Sequence, residues 1–97
     1  LLAPDAFGGA CGPAQVHRGE PVFQPATYWR GAAWPQLSYV LWLAAQRAGR
    51  AEVADQVRAT TIRGAVRSGF AEHWHPDSGA GLGAVPQSWT GLAAVMA

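Results

Sequence analysis

Glycine and proline limit what this chain can fold into. Pro4, Gly8, Gly9, Gly12, Pro13, Gly19, Pro21 and Pro25 lie too close together for a long regular element, and Pro76, Gly79, Gly81, Gly83 and Pro86 interrupt a second stretch. Residues 1–34 are therefore expected to form a long loop. Loops of that length inside compact domains are usually functional. A disordered linker would not carry Phe7, Phe23, Tyr28 and Trp29, so the loop should be packed, with one helical turn near its start.

Helix is expected between the two loops. Pro35 suits a first helical turn, and Leu37, Val40, Leu41, Ala44 and Ala48 recur at steps of three and four before Gly49 stops the run. A second helix should run from Ala51 to Arg67, with Val53, Val57 and Ile62 apolar and Gly69 at its end. The short link forces an antiparallel αα-hairpin over 35–68. Residues 69–87 form the second loop, and Ser88 is a good N-cap for a third helix over 88–97. No strand-like alternation is long enough to build a sheet, so the expected class is all-α.

Size and charge narrow the function. With 97 residues the chain has room for one small core, yet only 13% are charged, about half of what a soluble domain usually carries. Together with a start that lacks Met and an end inside an apolar run, this predicts a piece of a longer protein. The net charge of +1 comes from scattered residues, which argues against a nucleic-acid partner. Arg47 and Arg50 interrupt the longest apolar run, so no membrane span is expected. Cys11 is the one cysteine, which fits a reducing compartment and a cytoplasmic address. His73 and His75 flank Trp74, but neither Cys11 nor His17 makes a metal spacing with them. Neither a metal nor another cofactor is expected.

Two motifs can carry chemistry. In Tyr28-Trp29-Arg30-Gly31-Ala32-Ala33-Trp34-Pro35, two indoles offer flat apolar faces matching a sugar ring, and Arg30 offers a fork of donors for hydroxyls or a carboxylate. Gly31 lets the backbone approach closely. Trp42, at helical spacing, reads as core, while Trp34 reads equally as pocket or core. The second motif is Gly69-Phe70-Ala71-Glu72-His73-Trp74. Here Glu72 follows a helix end between Phe70 and Trp74, and a partly desolvated carboxylate there suits base chemistry; the alternative is a surface glutamate. Glu52 and Asp55 share a solvated helix face with Arg50 and Arg58, Asp77 reads as a turn residue, and Asp5 and Glu20 have no distinguishing context.

These motifs, with His17-Arg18-Gly19-Glu20-Pro21, Pro76-x-x-Gly79-x-Gly81-Leu82-Gly83 and Ser88-Trp89-Thr90, resemble the C-terminal part of glycoside hydrolase family sixty-three and the mannosylglycerate-hydrolase-like enzymes, relatives of trehalases. The resemblance covers nearly the whole chain and keeps the family's order. It implies an (α/α)6 toroid, of which residues 1–97 would be a C-terminal portion, with inverting hydrolysis of an α-linked sugar or glycosyl-glycerate at the mouth. Glu72 falls on the family's general base; its general acid is an aspartate upstream, in the remainder of the parent barrel. Tyr28, Trp29, Arg30, Gly31 and Trp34 fall on the substrate-lining motif, Trp74, beside the base, is expected to line the same pocket, and Trp89 falls on the tryptophan closing it. Gly19, Gln36-Leu37-Ser38 and Gln87 depart from the family's pattern. The chain alone is expected to be inactive and to self-associate. The rival readings are a non-catalytic carbohydrate-binding or degenerate module and a structural piece of another α/α toroid.

Overall fold

The computed structural model describes every residue except Leu1, Thr27, Tyr28, Gln87 and Ala97, and only the backbone of Ser88 and Trp89. The expectation for Tyr28 thus lies outside the described residues, as does that for the Trp89 side chain. Helix α1 spans Pro35–Arg47, with Pro35 in its first turn and extended Trp34 at its N-cap. Gly49 at φ 72° closes it. The Gly49 amide donates to the Gln46 carbonyl at 3.1 Å and the Arg50 amide to that of Ala45 at 2.8 Å, which satisfies two carbonyls of the last turn. A Cβ on Gly49 would meet nothing within 4 Å, so glycine is needed there for its backbone angle alone. Helix α2, Ala51–Ser68, follows at once and ends the same way: Gly69 is at φ 69°, and Gly69 and Phe70 donate to Val66 and Ala65. Its exposed face carries Glu52 paired with Arg50 at 3.0 Å and Asp55 near Arg58 at 4.0 Å, the solvated pattern expected.

The second loop is more ordered than its glycines predicted. His73–Trp74 (β1) pairs antiparallel with Gly81–Leu82 (β2), so the all-α expectation becomes a mostly helical fold with two short strands. Two-residue strands are too short for side-chain alternation to show in sequence. The chain then makes a 3-10 turn at Ser88–Gly91 and helix α3 at Leu92–Met96. That turn is anchored by the Thr90 hydroxyl, which donates to the Ala71 carbonyl at 2.7 Å.

The core is built around one indole. Trp74 is fully buried among Cys11, Ala33, Ala65 and Ala93, and small residues are what a ring of that size leaves room for. Gly64, in the middle of α2, is its seat: a Cβ there would overlap the indole. A glycine inside a helix costs about 1 kcal/mol relative to alanine, so the close approach of Trp74 explains its presence. Trp42, expected in the core, is only half-buried on α1, with its ring 5.8 Å from that of Tyr39.

The first loop is packed, as Phe7 and Phe23 suggested, and makes one turn near its start, where the Ala6 and Gly8 amides donate to the Ala3 carbonyl. Its contacts converge on the β1–β2 hairpin and α2. Trp74 donates its indole N–H to the Cys11 carbonyl at 2.7 Å, and Arg63 donates to the Ala10 carbonyl at 2.7 Å. Arg18 grips Asp77 through two bonds of 2.7 and 3.1 Å while also donating to the Gly8 carbonyl. Asp77 is therefore a clamp between the two loops as well as a turn residue.

Candidate active site

One backbone bridge brings the two motifs together. Ala33 and Trp74 exchange both of their backbone hydrogen bonds, at 2.8 and 3.0 Å. In such an antiparallel pair the next residues, Trp34 and His73, stand opposite each other on the other face. Their rings stack, with centroids 4.2 Å apart and planes 6° from parallel. Trp29 stacks on Trp34 in turn, at 3.8 Å and 3°. The result is a column of three parallel rings running from the first loop to the hairpin.

The outer tier is the exposed one. Trp29 is 44% accessible and Trp34 only 1%. Trp29 also has φ 58°, a left-handed conformation that costs a bulky residue about 1–3 kcal/mol and gathers at functional sites. Trp34, which read equally as pocket or core, is thus the buried middle of the column and offers no open face. Trp74 needs a firmer correction. It was expected to line a pocket, but it is fully buried and its single donor is taken by Cys11. Gly31 is buried, and the edge of the Phe23 ring lies 2.7 Å from where a Cβ would stand. Arg30 is half-buried and its Nε donates to the Val22 carbonyl at 3.1 Å, which pins the guanidinium beside the Trp29 turn.

Glu72 sits next to the inner end of the column. Phe70 at φ 60° turns the chain sharply out of α2, and the Glu72 amide then donates to the Ala84 carbonyl at 2.7 Å. Its side chain is 16% exposed, with Oε1 3.6 Å from His73 Nδ1. That separation is too long for a hydrogen bond but close enough for charge to be felt. Burial pushes the His73 pKa below 6.5, and the Glu72 charge opposes the shift. A largely shielded carboxylate that still touches solvent, beside a ring that prefers to be neutral, can take a proton from a water molecule.

The chain has relatives among known proteins. A family model for the mannosylglycerate hydrolase MGH1-like glycoside hydrolase domain matches residues 1–90. The chain belongs to this family. It is 41% identical over 71 residues to the glucosylglycerate hydrolase of Mycolicibacterium hassiacum, covering 73% of this chain and 16% of that protein. Among solved structures, the GH63 mannosylglycerate hydrolase from Thermus thermophilus in complex with glucose superposes with a TM-score of 0.78 at 30% identity, over 84% of this chain and 21% of that one. The same enzyme in complex with Tris and D-glycerate gives 0.76. The chain therefore spans about a sixth of the curated relative and a fifth of the solved one.

Within this glycoside hydrolase domain, a largely apolar gap opens between the first loop and α1, and Glu72 is not among its lining residues. A cavity of about 210 Å³ is bounded by Leu2, Phe7, Pro13, Trp34, Leu37 and Leu41. None of the residues lining it is titratable. Among the described residues, no three His, Cys, Asp or Glu side chains converge as a metal site, and no helix is long and apolar enough to cross a membrane. Sequence reasoning missed Gly64, although a glycine inside an otherwise good helix was a legible signal. It also missed the Arg18–Asp77 clamp, for which a separation of 59 positions left no local sign.

Proposed function

We propose that this chain is part of an inverting hydrolase of α-linked glycosylglycerates, built as an (α/α)6 toroid, and that it supplies the general base and one wall of the sugar pocket. Glu72 is the base. It takes a proton from the water that attacks the anomeric carbon, while an acid elsewhere in the complete enzyme protonates the leaving oxygen. Trp29 presents its indole face to the sugar ring, and Trp34 and His73 hold that face at a fixed height from the carboxylate. Arg30, beside the same turn, provides charge for a hydroxyl or for the glycerate carboxylate.

The observation that carries this reading is the juxtaposition itself. A shielded carboxylate and an exposed, strained tryptophan are held by one stack of rings in a chain belonging to a hydrolase family. The substrate class is drawn from the relatives' names, glucosylglycerate hydrolase and mannosylglycerate hydrolase. The test is Glu72→Gln in the complete enzyme, assayed on both glycosylglycerates. Loss of a general base lowers turnover by about 10²–10⁴-fold, with substrate binding by calorimetry largely kept. A variant retaining more than about a tenth of wild-type turnover would remove Glu72 from this role.

A further inference from the structure

Gly83 has no assigned part in this site, yet a side chain at its position would have to displace the Glu72 carboxylate. It lies just beyond β2 at φ 72°. A Cβ built there would overlap Glu72 Oε1 and stand 3.0 Å from His73 Cε1 and 3.1 Å from Glu72 Cβ. Nor can Gly83 easily withdraw, because the adjoining Ala84 carbonyl accepts the Glu72 amide at 2.7 Å and Leu82 pairs with His73. We propose that Gly83 is a positioning residue for the Glu72 carboxylate, its missing side chain keeping open the space that the carboxylate occupies.

The rest of the molecule provides the control. Gly49 and Gly69 share the left-handed conformation of Gly83, at φ 72° and 69°. A Cβ on Gly49 meets nothing within 4 Å, and one on Gly69 meets only Val85 Cγ1 at an ordinary 3.7 Å. Alanine at any of the three adds the same kind of backbone strain. Only alanine at 83 also pushes on Glu72.

The inference rests on Glu72 acting as the base, and its test separates the two ideas. In the complete enzyme, Gly83→Ala should lower kcat on the order of 10²-fold with little change in KM, as expected when a catalytic group is displaced by about 1 Å. Its pH–rate profile should also shift on the acid side, whereas Gly49→Ala and Gly69→Ala should keep the wild-type kcat and profile. A Gly83→Ala enzyme as active as Gly69→Ala would overturn the proposal even with Glu72→Gln inactive. An active Glu72→Gln enzyme would instead overturn the base assignment. The packing claim is read separately, by melting. Gly83→Ala should melt below Gly69→Ala, and adding Glu72→Ala should recover the difference, even if the single variant folds too poorly to assay. If removal of the carboxylate recovers nothing, Gly83 does not act through Glu72.

Discussion

The tryptophans of this chain divide by what their faces touch. Trp29 is exposed at the end of the ring column, Trp34 is enclosed within it, and Trp42 lies half-buried on α1. Trp29→Ala should therefore weaken sugar binding with little loss of stability. Trp34→Ala should cost both binding and about 3–5 kcal/mol, because it deletes a buried aromatic and the support of Trp29. Trp42→Ala should lower stability alone. Calorimetric binding and thermal melting of the complete enzyme check the three together; a Trp29 variant that melts low but binds normally would count against the division. His73 adds a pH dependence. Burial lowers its folded-state pKa, with the Glu72 charge opposing, so the unfolded chain takes up a proton first as pH falls. Its contribution to stability is complete above about pH 6.5 and is lost as pH drops from there towards the folded-state value. His73→Phe, which keeps a flat ring but cannot titrate, should flatten the acid-side decline of the melting temperature. An unchanged decline would mean that the ring is not shielded as described.

At the scale of elements, the helices were legible and the hairpin was not. Pro35, Gly49 and Gly69 punctuate α1 and α2 through local backbone chemistry, so their bounds could be read from the sequence to within a residue or so. The β1–β2 hairpin rests on pairings with Ala33 and on the Trp74–Cys11 bond, contacts between distant positions that leave no local pattern. For the same reason Glu72 could be singled out from its neighbours, while the stack that faces it could not. Gly64 gives the most direct test of this packing. Alanine should gain about 1 kcal/mol from helix propensity, but its Cβ would overlap the Trp74 indole. Gly64→Ala should therefore destabilise, by about 1–3 kcal/mol for an overpacked core. A melting temperature equal to or above wild type would show that the indole does not sit against α2 as described.

At the scale of the whole molecule, large apolar side chains stand exposed on all three helices. Leu37 and Val40 on α1, Val66 on α2 and Val95 on α3 are between 44% and 65% accessible. Scattered single residues would need no explanation, but apolar side chains on all three helices call for covering surfaces. The 97-residue chain by itself should accordingly self-associate, and it should be inactive because the acid partner of Glu72 lies elsewhere in the proposed toroid. Light scattering after size exclusion checks the first point, and a monodisperse monomer would contradict it. The central claim is that Glu72 activates a water and does not itself attack the sugar. Proton NMR of the first turnovers of the complete enzyme on an α-linked glycosylglycerate tests it most directly. The account predicts that the β-anomer of the free sugar appears first and then mutarotates, and first appearance of the α-anomer would contradict it.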